Sequence, residues 1–264
     1  MRSEIITSAA NPAIQLVRGL ARRDRRQAEG AFIVEGVRAV ADALDTGAAP
    51  RLLLLREGDE ALRDDLKTGE GWPVRVVARS LFARLSDVQT PQGILAVFPI
   101  PQRQPDWQHP APLMLVLDRL RDPGNLGTLL RAAAGAGVTA VYLTAESADP
   151  WNPKAVRAGM GAHFRVPILA FDRDAAGSLA ARLPHRIVAT AEAEHSYDEV
   201  DWTGPAALIV GGEAAGVGPE LTTWGTAAAR IPLAAGVESL NAAVAGAVIL
   251  FEAARQRRGV AIGC

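Results

Sequence analysis

Residues 113–143 read LMLVLDRLRDPGNLGTLLRAAAGAGVTAVYL, and this stretch decides the fold. Leu113 to Leu117 is a continuous apolar run, as a strand covered on both faces requires. Asp122-Pro123-Gly124-Asn125 then makes a turn that exposes a helix start, with Asn125 placed to cap it. The helix runs from Asn125 to Ala134 and is ended by Gly135 and Gly137, and Val138 to Leu143 is a second strand. Working toward the C-terminus, the pattern repeats. Pro153 to Gly161 is helical, Val166 to Leu169 extended, Asp172 to Leu183 helical and Arg186 to Thr190 extended. Ala207 to Val210 is a further buried strand that runs into GGEAAGVGPE, and a short extended piece, Ala229 to Leu233, follows. A long helix from about Ser239 to Arg257, with Ser239 at its start as a cap, completes the half. Strands alternating with helices predict an open, mostly parallel sheet with helices on both faces.

Toward the N-terminus, residues 99–112 read PIPQRQPDWQHPAP. Proline at that density blocks helix and ladder hydrogen bonding, so a semi-rigid linker is expected. Before it, a helix over Pro12–Arg26, a strand at Ala31–Glu35, a helix at Val37–Leu44 and strands at Leu52–Leu55, Val74–Val77 and Gly93–Val97 predict a smaller α/β domain. The expected division is 1–98, 99–112 and 113–264, and no internal repeat is found.

Composition narrows the function classes. The 264 residues are 49% hydrophobic and carry a net charge of −1, which excludes a disordered chain and a polycation. The longest apolar run, Ala242 to Phe251, is half of the roughly 20 residues a membrane span needs. The start, MRSEIITSAANP, lacks a charged-then-apolar leader pattern. One cysteine, Cys264, excludes an intrachain disulfide and a cysteine metal cluster. A soluble, cytoplasmic protein with no membrane and no metal is expected. All but Lys67 and Lys154 of the 28 basic residues are arginines, and Arg18, Arg22, Arg23, Arg25 and Arg26 stand against Asp24 alone. Such a cluster is either a solvated helix face or a set of phosphate contacts.

Three segments follow strands at the C-terminal edge of the second half, where open α/β sheets bind ligands. They are Asp122 to Arg131, the glycine loop Gly211 to Gly218, and Ile231-Pro-Leu-Ala-Ala-Gly-Val-Glu-Ser-Leu-Asn241. Each alone could be an ordinary turn or an ordinary surface arginine; three polar loops in one domain are harder to dismiss. They contain neither G-x-G-x-x-G nor G-x-x-x-x-G-K-[ST], so dinucleotide and P-loop readings fail. Glu213 inside the glycine loop would repel a phosphate while tolerating a neutral nucleoside or a cation. His109, His163, His185 and His195 show no metal-ligand spacing, and no G-x-S-x-G elbow is present. Asp118, Asp122, Glu213 and Glu238 lack a paired histidine or a D-x-D pattern, which argues against metal-assisted hydrolysis.

At these three segments the sequence resembles the TrmH-like (SpoU) family of RNA ribose 2′-O-methyltransferases of the SPOUT superfamily. DPGNLGTLLRAAAGAGV is similar to its first motif, LIVGGEAAGVGPEL to its second and RIPLAAGVESLNAAVAGAVILFE to its third; ADPWNPKAVRAGMGAHFRVPI matches the stretch between the first two. ITSAANPAI and FIVEGVRAV resemble its N-terminal substrate-binding domain, an L30e-like α/β fold. The resemblance implies S-adenosyl-L-methionine as methyl donor, a deep trefoil knot in the C-terminal part and a homodimer packed through the catalytic domains. It implies Asn125, Arg131, Glu213, Ser239 and Asn241 as catalytic residues. Thr144, Val210, Gly211, Gly212, Glu213, Gly216, Ile231, Leu233, Ser239 and Leu240 are implied around the donor. Arg22, Arg23, Arg25, Arg26, Arg131, Lys154 and Arg157 are the expected RNA contacts. Many members carry Gly-Asn-Glu in the second motif; here Gly212 takes the place of the asparagine. The implied substrate is RNA, with 23S ribosomal RNA favoured over transfer RNA. An antibiotic-resistance methyltransferase and an RNA-binding protein without catalysis are the competing readings.

Overall fold

The computed structural model describes residues 4–66, 71–86, 90–213 and 215–261. Lys67 and Cys264 lie outside them. In chain order the elements are β1 (Ile5–Ile6), α1 (Pro12–Gly19), α2 (Arg23–Glu29), β2 (Ala31–Glu35), α3 (Val37–Asp45), β3 (Leu52–Arg56), α4 (Leu62–Asp65), β4 (Val74–Val77), α5 (Arg79–Phe82), β5 (Ile94–Pro99), β6 (Leu113–Asp118), α6 (Pro123–Ala136), β7 (Ala140–Leu143), α7 (Pro153–Gly159), β8 (Ile168–Ala170), α8 (Arg173–Arg182), β9 (His185–Ala189), β10 (Ala206–Gly211), α9 (Pro219–Trp224), β11 (Ala227–Ala229) and α10 (Ala242–Ala261); a single 3-10 turn spans Ala162–Phe164.

Contacts divide the chain into two compact units. One comprises Met1–Pro101 with Trp151–Phe164, the other Gln102–Pro150 with Arg165–Cys264. The first holds a five-stranded sheet in the order β1-β4-β3-β5-β2, with β5 antiparallel to both neighbours. One face is covered by α1 and α5 through Ile14, Val17, Leu20 and Phe82. Phe32, Val34, Leu53, Leu55 and Phe98 line the other face, which α3 and the 151–164 segment cover. That segment was expected within the C-terminal domain. It packs instead on β2, with the Phe32 and Trp151 rings 4.8 Å apart and Phe98 edge-on to Phe164 at 5.0 Å. The reason is apolar area: β2 and β5 present Phe32 and Phe98 on a face that Trp151, Val156 and Phe164 help α3 to cover.

The expected Pro12–Arg26 helix is two. It breaks after Gly19, and the buried Arg26 guanidinium donates to the carbonyls of Leu20 and Ala21, both at 2.8 Å. The proline-rich stretch is also less detached than expected. Pro99 ends β5, and Trp107 packs against the core of the second unit with the Arg182 guanidinium 4.7 Å above its ring.

The second unit is a six-stranded sheet, β11-β9-β10-β6-β7-β8, parallel throughout. Met114, Val116 and Ile209 pack under α8 and α9 on one face. On the other, α6 and α10 lie close together because Gly246 has no side chain: a Cβ there would come 2.6 Å from Leu129 Cδ2 and 3.4 Å from Val210 Cγ2. Strand order reverses between β10 and β6, which is where open sheets of this kind gather their ligand loops.

Two expected caps are corrected. Asp122, not Asn125, caps α6, accepting from Asn125 N–H at 2.8 Å. Asn241, not Ser239, caps α10, accepting from Ala243 N–H at 2.9 Å and Val244 N–H at 3.2 Å. With Asp122 as the cap, the Asn125 side chain is left to bond elsewhere.

Candidate active site

Freed from capping, Asn125 stands on the first turn of α6 and joins the three polar segments. Asn241 spends its oxygen on the α10 N-terminus, so its amide nitrogen faces outward and donates to Asn125 Oδ1 at 3.2 Å. The Asn125 amide is thereby oriented, and its Nδ2 donates to Glu213 Oε1. A directed chain results, Asn241 to Asn125 to Glu213, in which Glu213 is the terminal acceptor. Asn125 is half-buried, and Glu213 and Asn241 are exposed beside it at one mouth of the sheet.

The glycine loop is held from below by Asp118, the last residue of β6, which is 5% exposed. Its backbone oxygen accepts from Gly212 N–H at 2.9 Å, and its carboxylate accepts from Gly218 N–H at 2.7 Å and from Arg119 Nε at 3.2 Å. Arg119 adopts a positive φ of 51° and turns its carbonyl into the space beside Gly212, where any Cβ would overlap it. Glycine at 212 avoids that overlap. A Cβ on Gly211 would overlap the backbone of Gly216 and Val217, so the loop folds directly over the end of β10. Asp118 was considered only as a metal-type carboxylate in the sequence; its structural role was missed, because a backbone acceptor has no motif.

The remaining expected residues fall into groups. Val210, Gly211, Gly212 and Gly216 lie at this loop, and Ile231, Leu233, Ser239 and Leu240 lie on the exposed segment between β11 and α10, with Leu240 37% exposed. Thr144 directly follows β7, on the far side of β6 from β10; its hydroxyl accepts from Arg119 N–H at 3.0 Å, and it lines a cavity of about 710 Å³ with Asp118, Arg119 and Gly218, the residues behind the glycine loop. Thr190 directly follows β9, which lies between β10 and β11, and its N–H donates to Ala229 O at 3.1 Å. Arg131 is exposed and makes no hydrogen bond or ion pair among the described residues. Six residues separate it from Asn125, about 9 Å along the helix and well around its axis, so within one chain it stands apart from the Asn125 network. Lys154 and Arg157 lie on α7, in the first unit. Arg26, expected to meet phosphate, is 2% exposed and satisfied by backbone carbonyls; it braces a corner and is no phosphate contact.

The arrangement suits a particular ligand chemistry. Glu213 gives the loop a negative charge, and Asn241 already occupies backbone donors of the α10 N-terminus, so a phosphate cradle is absent where a cationic, phosphate-free ligand fits. No group of three or more potential metal-ligating side chains occurs among the described residues, and no helix among them is long and apolar enough to cross a membrane.

Residues 112–251, holding this whole constellation, match the SpoU rRNA Methylase family, and residues 11–96 match the MRM3-like substrate binding domain. The chain belongs to the SpoU rRNA methylase family. It is 34% identical to the mitochondrial rRNA methyltransferase 3 of Homo sapiens, over 90% of this chain and 70% of that protein. It is 30% identical to the 23S rRNA (guanosine(2553)-2′-O)-methyltransferase RlmP of Bacillus subtilis, over 93% and 97% respectively. Among solved structures, the AdoMet-bound rRNA methyltransferase from Sinorhizobium meliloti matches with a TM-score of 0.83 and 32% identity, covering 96% of this chain and 97% of that one.

Proposed function

We propose that this SpoU family member transfers a methyl group from S-adenosyl-L-methionine to a ribose 2′-hydroxyl of ribosomal RNA, with 23S rRNA as the favoured substrate. The observation that carries the reading is the Asn241–Asn125–Glu213 chain, which ties the three motif segments into one polar mouth beside a glycine loop unsuited to phosphate. The donor supplies an electrophilic methyl on a sulfonium. The backbone of Gly211, Gly212 and Gly216, with Ile231, Leu233 and Leu240, surrounds it, and Glu213 complements its positive charge.

A ribose hydroxyl is a weak nucleophile and must be oriented. Asn125, its amide locked by its two partners, presents a fixed polar group for that purpose, while Ser239 and Asn241 hold the loop. Arg131 cannot readily serve as a base, since a guanidinium stays protonated. Contributed to the Asn125 mouth by the second copy of the homodimer, it holds the neighbouring phosphate and stabilises charge developing on the oxygen.

The N-terminal unit serves as the RNA-binding part, residues 99–112 as the connection and 113–264 as the catalytic part, with Trp151–Phe164, including Lys154 and Arg157, contributed to the RNA-binding unit. The catalytic part forms a trefoil knot and a homodimer. Val244 and Phe251, one heptad apart on α10 and 50% and 48% exposed, make an apolar stripe of the kind a monomer rarely leaves open; a second copy covers it. The working compartment is the cytoplasm, and no metal is required. The test is methyl transfer from labelled donor to purified rRNA by wild type and by Asn125→Ala. Wild-type transfer to a ribose oxygen, lost in the variant, supports the reading. A wild-type protein that binds the donor yet labels no RNA overturns it.

A further inference from the structure

The corner between α1 and α2 gathers three arginines on one surface. Arg18, Arg22 and Arg25 line one open groove of about 660 Å³ together with Gln15, Gly19 and Glu29. The corner exists because of Arg26. Its buried guanidinium ties down the two carbonyls just beyond α1, which turns the chain and sets Arg22 and Arg25 on the same side as Arg18. A buried charge is costly unless fully hydrogen-bonded, so a fold that retains one to shape a solvent-facing corner needs that corner's geometry.

Two of the three groove arginines are engaged by the chain's own carboxylates. Arg22 makes a forked contact to Asp24, Nε to Oδ1 at 3.1 Å and Nη2 to Oδ2 at 2.8 Å. Arg25 reaches Glu29 at 3.7 Å across one helical turn. Arg18 has no side-chain hydrogen bond or ion pair among the described residues. Both ion pairs are solvent-exposed, with side chains 72% and 59% exposed in the first. Pairs of that kind contribute only about 0–1 kcal/mol, so an incoming oxyanion can displace them. A guanidinium already aligned to a carboxylate fork matches a phosphate in the same geometry.

We propose that the α1–α2 groove is a phosphate-backbone site for RNA, in which Asp24 and Glu29 are internal stand-ins that RNA phosphates displace from Arg22 and Arg25. The inference rests on the reading of this chain as acting on RNA, and deepens it by naming the groove and its built-in competitors. A concave surface with three guanidiniums and no large exposed apolar side chain fits a phosphate chain and not a lipid surface. Arg23 lies outside the groove and Arg26 acts only as the brace. The two carboxylates also set a specificity threshold: an isolated phosphate gains little over them, whereas several phosphates in series displace both.

The experiment measures binding of the full-length protein to protein-free large-subunit rRNA as a function of salt, with donor binding measured in parallel by calorimetry. Each phosphate contact contributes about 0.7–0.9 to the slope of log K against log salt. Arg18→Gln/Arg22→Gln/Arg25→Gln is expected to lower that slope by about 2–3 and to leave donor affinity unchanged. Asp24→Asn/Glu29→Gln is expected to do the opposite on RNA, tightening binding severalfold at low salt. An unchanged slope in the arginine variant, or weaker RNA binding in the carboxylate variant, overturns the proposal. So does a loss of binding to anionic phospholipid vesicles in the arginine variant without a loss on RNA. Failure of the broader methyltransferase reading would show separately, as wild-type protein that binds RNA but takes up no donor.

Discussion

Gly211→Ala is the sharpest test of the glycine loop. The added methyl would overlap the backbone of Gly216 and Val217, and backbone has no rotamer to escape into, so the loop must leave the end of β10. Three hydrogen bonds keep it there: Gly212 N–H to Asp118 O at 2.9 Å, Gly216 N–H to Gly212 O at 3.0 Å and Gly218 N–H to the Asp118 carboxylate at 2.7 Å. Two ordinary bonds at about 1 kcal/mol and one to a charged acceptor at about 2 kcal/mol put the displacement near 4 kcal/mol. If S-adenosyl-L-methionine needs the loop in place, binding must oppose that sum, and at 1.4 kcal/mol per decade its Kd rises about a thousandfold. Calorimetric titration reads the affinity, and circular dichroism shows the sheet to be intact. Gly204→Ala, whose methyl would meet nothing within 4 Å, is the control and leaves the Kd unchanged. A Gly211→Ala protein that binds the donor within tenfold of wild type refutes the reasoning.

Arg131→Ala is expected to abolish methyl transfer while leaving donor affinity within a factor of two, because Arg131 touches nothing around the glycine loop; retained turnover would remove it from the reaction. Phe164→Ala opens a cavity beside Phe32 and Phe98 and is expected to lower stability by about 3–5 kcal/mol, seen as a drop in the denaturant midpoint; a change below about 1 kcal/mol would show that the 151–164 segment is not part of that core. Phe251→Glu places a charge on the exposed α10 stripe and is expected to convert a dimer to a monomer in analytical ultracentrifugation, whereas an unchanged sedimentation coefficient would place the dimer contact elsewhere.

The strand–helix alternation was legible because buried parallel strands are continuous apolar runs, and Leu113 to Leu117 and Ala207 to Val210 are unmistakable. What escaped depended on partners distant in sequence. Nothing local says that Trp151–Phe164 leaves its neighbours to cover Phe32, or that Trp107 anchors a proline-rich stretch. The caps shifted because the helices begin at Pro123 and Ala242, which puts Asp122 and Asn241 in the cap positions and leaves Asn125 inside the first turn and Ser239 ahead of the helix. Arg26 illustrates the limit for charge patterns. It lies among solvated arginines in the sequence, yet its guanidinium is buried, since only the turn at Gly19 brings two carbonyls within its reach. The motif residues Asn125, Glu213 and Asn241 were legible as a resemblance, but their directed hydrogen-bond order was visible only once Asn241 was seen to cap α10.

The most direct measurement is to incubate the wild-type protein with isotopically labelled S-adenosyl-L-methionine and purified 23S rRNA, digest the RNA to nucleosides and identify the labelled product by mass spectrometry. The account predicts label on a ribose 2′-oxygen at a single position. Label on a nucleobase, or none on RNA from a protein that binds the donor, would contradict it.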